Sequence, residues 1–131
     1  IDHLDSDRGM VWAKLDAGTD AYFHRVCRTG FQFNKILDNI LLVSQKRPIV
    51  IQTCFMKINK EGPSQEEIRT YCHRLLTIKN QNGRLKLVQI YTVARRPTEG
   101  YVEPLENIEM DQIVEFVRRE SGLSVKAYYH A

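Results

Sequence analysis

Apolar positions along this chain change their spacing several times, and each change marks the passage from strand to helix or back. Met10-Val11-Trp12-Ala13-Lys14-Leu15 is a short apolar run closed by Asp16-Ala17-Gly18. That is the pattern of a buried strand, with Lys14 as the one charge near its C-terminal end. Thr19 is placed to cap a short helix through Cys27, with Asp20 in its first turn. Thr29-Gly30 breaks the chain, and Phe33, Ile36, Leu37, Ile40 and Leu41 then recur on one helical face until Pro48 ends that helix. Ile49 to Met56 is rich in β-branched residues and apolar on both faces, which predicts a parallel strand covered from both sides.

Lys60-Glu61-Gly62-Pro63 is a turn, and Ser64 and Glu67 have the spacing of a capping box. Ile68, Tyr71, Cys72, Leu75 and Leu76 form the buried stripe of the helix that follows. After the turn Asn80-Gln81-Asn82-Gly83, Leu85 to Val93 is a third strand. Its exit carries Arg95-Arg96-Pro97 and an irregular segment to about Asn107. A last helix is predicted from roughly Glu109 to Ser121, burying Met110, Ile113, Val114 and Val117, with Gly122 at its C′ position. Leu123 to Tyr129 completes the series as a strand. Tyr71, Tyr91 and Phe33 fall at core periodicities.

Strands and helices in alternation predict an α/β fold with a parallel sheet of three to four strands joined by crossover helices. Residues 1–131 are expected to form a single domain. In such sheets functional groups gather at the C-terminal ends of the strands. Those ends are Lys14 to Ala17, Met56 to Asn59, and Thr92 to Arg96.

Composition removes several function classes. With 43% hydrophobic and 27% charged residues the chain is an ordinary globular one. No run approaches the roughly 18 apolar residues of a membrane span. The net charge of +3 is dispersed among acids, unlike the one-sided patch of a nucleic-acid footprint. Cys27, Cys54 and Cys72 are odd in number and far apart, which argues against a disulfide framework or a zinc site. His3, His24, His73 and His130 share no ligand spacing either. No signal peptide is legible, so a cytoplasmic setting is expected. The chain opens on Ile1 instead of methionine, and an excised piece of a longer protein is expected.

The three strand ends carry a text that resembles the radical SAM iron–sulfur oxidoreductases. Val11 to Ala17 (VWAKLDA), followed by Phe23 and Arg28, is similar to the fourth barrel strand and loop of that family. Cys27-Arg28-Thr29 stands where the family usually has Asn-Arg-Pro. Ile49 to Asn59 is similar to the fifth strand, with Lys60 in place of the usual Asp. Leu87 to Pro97 (LVQIYTVARRP) looks like the sixth strand, and Val102-Glu103-Pro104-Leu105 extends the match. The nearest subgroup is that of the wybutosine-synthesis and molybdenum-cofactor enzymes.

The resemblance implies the C-terminal half of a radical SAM partial barrel. In full length such a protein would cleave S-adenosylmethionine reductively, giving a 5′-deoxyadenosyl radical at a [4Fe–4S] cluster. The cluster is held in the family by a CxxxCxxC loop, and this chain has no such loop. No catalytic or metal-binding residue is therefore assigned, and no cofactor is expected to bind tightly to this piece alone. Lys14, Asp16, Gln52 and Asn59 are the candidate contacts to S-adenosylmethionine, and Gln89, Arg95 and Arg96 the candidates for an anionic substrate, a small molecule or RNA.

Each has a plainer reading. For Lys14 that is a salt bridge to Asp16; for Asp16, a turn cap; for Gln52 and Gln89, hydrogen bonds inside the core; for Asn59, a turn; for one of the two arginines, a surface charge. Two other functions compete. A Schiff-base lyase would use Lys14 as its nucleophile. A non-catalytic half-barrel would associate with itself or with a missing N-terminal half, because an incomplete parallel sheet leaves edges and apolar faces to cover.

Overall fold

The computed structural model describes residues 11–26, 32–93 and 102–128. Among the described residues six strands and four helices follow one another as β1 (Val11–Lys14), α1 (Asp20–Val26), α2 (Phe33–Lys46), β2 (Ile49–Cys54), β3 (Met56–Ile58), α3 (Gln65–Asn80), β4 (Leu85–Tyr91), β5 (Val102–Pro104), α4 (Asn107–Ser121) and β6 (Val125–Tyr128). β1, β2, β4 and β6 form one parallel sheet in that spatial order. The fold is the α/β parallel sheet expected of a radical SAM partial barrel.

That order is informative. Each new parallel strand is laid down on the same side of the one before it, with no reversal. Right-handed crossovers taken always in one direction put every helix on the same face. A doubly wound sheet reverses direction once and covers both faces; a barrel segment never reverses.

The core obeys this. Val11, Ala13, Leu15, Ile49, Ile51, Val88, Ile90, Val125 and Ala127 all point to one side, where they meet Phe33 and Ile40 of α2, Tyr71, Leu75 and Ile78 of α3, and Met110, Ile113 and Val117 of α4. Alternation along the strands sends Trp12, Lys14, Val50, Gln52, Cys54, Leu87, Gln89, Tyr91, Lys126 and Tyr128 to the opposite side. None of these ten belongs to the helix-packed core. β2 is buried on both faces as its composition predicts, with Val50 at 3% and Cys54 at 7% exposure on the second face, although neither belongs to the helix-packed core.

Local chemistry explains most boundaries. Thr19 caps α1 by accepting the N–H of Tyr22 at 3.2 Å. Ser64 caps α3 through the N–H of Glu67 at 3.0 Å. The predicted capping box at Ser64 is only half made, because the Glu67 side chain is used elsewhere. A complete box forms instead at α4, between Glu106 and Glu109, and it starts that helix two residues before the predicted Glu109. Gly122 ends α4 at φ 69°, the left-handed C-cap its position predicts.

Two strand limits differ from expectation. The run from Ile49 divides at Phe55, whose N–H donates to the Tyr91 carbonyl, and β3 then leaves the main sheet to pair antiparallel with β5. β4 stops at Tyr91, before Thr92, whose buried hydroxyl accepts the N–H of Leu105 at 2.9 Å. β6 occupies Val125–Tyr128 within the predicted Leu123 to Tyr129.

Candidate functional site

Lys14 is the last residue of β1 and pairs with Gln52, which in turn pairs with Gln89. Three polar side chains therefore stand side by side across three strands, on the face the helices leave bare. The Gln52 amide donates to Gln89 Oε1 at 3.5 Å, and the Gln89 amide donates to Tyr128 Oη at 3.1 Å. These glutamines bond each other and a tyrosine, not groups in the hydrophobic core.

Lys14 reaches further than its neighbour strand. Its ammonium crosses β2 and donates to Tyr91 Oη on β4 at 2.6 Å, with the nitrogen 5.2 Å from the ring centroid. On its other side Asp16 Oδ2 lies at 3.6 Å. Asp16 is anchored in turn, its Oδ1 accepting the backbone N–H of Cys54 at 2.8 Å. The plainer readings of Lys14 and Asp16 are thereby partly met, but Asp16 ties one strand end to the next and does not cap its own turn.

Charge balance at this pair follows from position. Burial pushes the Lys14 amine down, yet the hydrogen bond to Tyr91 and the negative charge of Asp16 outweigh it, so the pKa is raised above 10.5. For Asp16, burial dominates and raises its pKa above 3.8, against the Cys54 N–H and the Lys14 charge, which both favour the ionised form.

The loop behind these residues is held by α3. Glu67, only 5% exposed, accepts the backbone N–H of Gly18 and the hydroxyl of Thr19, the latter at 2.7 Å. Arg74 donates to the Gly18 carbonyl at 2.9 Å. Gly18 must be glycine here, because a Cβ would fall 2.4 Å from the backbone nitrogen of Tyr71. So Lys14 and Asp16 lead into a loop whose next residues are clamped.

The remaining candidates lie elsewhere. Asn59, with φ 53°, and Lys60, with φ 70°, form the turn that closes Ile58 onto Glu61. Asn59 thus sits on the β3 turn, off the four-stranded sheet and apart from the Lys14 row. Arg95 and Arg96 lie outside the described residues, as do Cys27, Arg28, His3 and His130. Among the described residues no group of three His, Cys, Asp or Glu side chains is arranged to hold a metal ion. Cys72 is buried in the helical core, its pKa pushed up to about 11 by burial, which keeps it a thiol.

Sequence reasoning misplaced Tyr91. It is half-buried on the bare face and bonded to Lys14, outside the core to which its periodicity had assigned it. The signal was present: Tyr91 is two residues beyond Gln89, hence on the same face of the strand. Tyr128 and Glu67 were missed because their partners are 39 and 49 residues away in sequence.

No family model matches this chain, and no curated protein matches it. A solved structure does: a domain of pyruvate-formate lyase-activating enzyme from Bacteroides vulgatus ATCC 8482. The two share 13% sequence identity and superpose with a TM-score of 0.68, over 97% of this chain and 71% of that one. At that identity the likeness is one of fold.

Proposed function

We propose that this chain is the C-terminal half of a radical SAM barrel and supplies one wall of its cofactor and substrate cavity. The observation that carries the reading is the sheet face that, among the described residues, no helix covers. A singly wound parallel sheet that packs its helices on one side only, and sets Lys14, Gln52, Gln89 and Tyr91 on the other, is built as the lining of a lumen. The fold neighbour, an activating enzyme of the radical SAM class, supports it. The text VWAKLDA and LVQIYTVARRP supports the finer placement near the wybutosine-synthesis and molybdenum-cofactor enzymes.

The two cofactors fare differently against these residues. For a [4Fe–4S] cluster the donor set among the described residues does not fit: Cys54 lies on β2 and Cys72 in the helical core, on separate elements. No step through a cluster is derived for this chain. S-adenosylmethionine does fit: Lys14 offers an ammonium for its carboxylate, and Gln52 and Asp16 offer polar groups beside it. When bound, S-adenosylmethionine would supply a cleavable sulfonium. The role of this chain is to bind and orient: Lys14 receives the anionic end, and the pairing of Asp16 with the Cys54 N–H fixes the depth of the loop. Gln89, with Arg95 and Arg96, is assigned to the substrate side, and Asn59 is retained only as a contact from the rim turn. The substrate of this reading is a small molecule or RNA.

The Schiff-base alternative is disfavoured by the same geometry. A lysine nucleophile needs a lowered pKa, and Lys14 is held protonated by Tyr91 and Asp16. Pairing of the sheet's edge strands, β1 and β6, with the N-terminal half or another copy is part of the proposal. Trp12 of β1 and Tyr128 of β6 are 49% and 43% exposed. Among the described residues no helix is long and apolar enough to cross a membrane.

The test is the coding sequence upstream of Ile1 together with the protein it encodes. A CxxxCxxC segment is expected there, and the full-length protein, reconstituted anaerobically with iron and sulfide, is expected to release 5′-deoxyadenosine from S-adenosylmethionine under reduction. A full-length protein without that segment, or one that forms no 5′-deoxyadenosine, would overturn the reading.

A further inference from the structure

We infer that Tyr91 is a positioning residue for an oxyanion site centred on Lys14. The inference rests on the reading of the bare face as a ligand-lined wall, and it adds to that wall the residue that orients its cation.

A lysine at the end of an edge strand has no reason to lie across the sheet. Its four-carbon stem is flexible, and the ammonium is best solvated when it points outward. Lys14 instead crosses β2 and ends on β4, two strands away, where the Tyr91 hydroxyl accepts one of its three N–H groups at 2.6 Å. The ring, 5.2 Å from the nitrogen, adds an attraction between cation and π face. Asp16 takes a second direction at 3.6 Å. The side chain of Lys14 is still 54% exposed, so the ammonium is held at two points and open to solvent beyond them.

That is how a cation is readied to receive an anion. Its position is set before the ligand arrives, which removes part of the ordering cost of binding. The groups facing it are Asp16 from the β1 loop, Cys54 from β2 and Tyr91 from β4. Lys126 on β6 is the second cation described on the same face. Tyr91 fits the role because β4 places it on the lumen side, two residues beyond Gln89, where its hydroxyl meets a side chain from the far strand. The competing account is a staple that merely joins β1 to β4, with no bearing on ligands.

The experiment follows the Lys14 ammonium by side-chain NMR of 15N-lysine-labelled protein, wild type against Tyr91→Phe, with Lys14→Met to assign the signal. Phenylalanine keeps the ring and the packing and removes only the hydroxyl. The wild-type Lys14 signal is expected to be protected from exchange and to lose that protection in Tyr91→Phe. Inorganic phosphate and S-adenosylmethionine are then titrated separately. Either should shift the wild-type signal, with a midpoint on the order of tenfold higher in Tyr91→Phe, as expected for loss of one hydrogen bond to a charged group. A shift with phosphate but not with S-adenosylmethionine supports the oxyanion site and overturns the cofactor reading alone. Equal exchange in the two proteins, equal midpoints, or no shift with either ligand overturns the inference. A lowered melting temperature in Tyr91→Phe with unchanged midpoints identifies the staple.

Discussion

Replacing Glu67 tests how the candidate site is held in place. Its carboxylate is buried between α3 and the β1 loop, accepting the Gly18 N–H and the Thr19 hydroxyl. Hydrogen bonds to a charged group contribute about 1.5–3 kcal/mol each, and a donor left without a partner in the interior costs about 1–3 kcal/mol. Glu67→Ala removes both acceptors and strands a buried backbone N–H. The two bonds share one carboxylate and are not additive, so the expected loss is about 3 kcal/mol. Against a total stability of roughly 5–15 kcal/mol this is a large fraction. Glu67→Gln behaves differently: its amide oxygen still accepts from Gly18 and its nitrogen donates to Thr19 after the hydroxyl turns, for a loss of about 1 kcal/mol. Urea unfolding followed by circular dichroism measures all three proteins. Thr19→Ala, alone and combined with Glu67→Ala, should give a coupling of about 1 kcal/mol in a double-mutant cycle. A Glu67→Ala protein within about 0.5 kcal/mol of wild type, the range of ordinary surface changes, would refute the clamp.

Other expectations follow from the same packing. Gly18→Ala drives a Cβ to 2.4 Å from Tyr71 N and 2.6 Å from Tyr71 Cα, backbone that cannot withdraw. It should cost at least about 2 kcal/mol by thermal melting, whereas Gly62→Ala, which meets only the flexible end of Leu105 at 3.1 Å, should stay within about 0.5 kcal/mol. Gly122→Ala puts a side chain at φ 69° and should destabilise by about 1 kcal/mol in the same assay. Asp16 has a folded pKa raised above its ordinary value of 3.8. It therefore contributes stability that is present below 3.8 and lost as pH rises through the folded pKa. Melting temperatures of wild type and Asp16→Asn, compared from pH 7 downward, should show wild type gaining on the variant as Asp16 protonates. A constant difference across that range would contradict the assignment.

Much of the fold was legible because local rules dominate it. The helical faces of Phe33, Ile40, Tyr71, Leu75, Met110, Ile113 and Val117, the cap at Thr19 and the stop at Gly122 follow from spacing and propensity, and the structure places each where the pattern does. The row Lys14, Gln52, Gln89 was legible as polar interruptions of apolar strands. Less legible was everything decided by a distant partner. Ser64 and Glu67 have capping-box spacing, but Glu67 finds stronger partners 48 and 49 residues away and leaves the box half made. Tyr91 has a core residue's periodicity in an apolar strand, and only strand order puts Lys14 within reach of it. Asn59 was legible as a turn, and it lies in one, but the departure of β3 from the main sheet depends on pairing with β5, across a segment with no periodicity to read.

By itself the sequence determined which segments are strands and helices and which strand ends are polar, because those depend on alternation, turns and caps within a few residues. Only the tertiary structure decided that the strands add in one direction, that the helices then fall on one face, and that the polar ends share the other. Strand order is set by how whole βα units pack together. No local pattern encodes it.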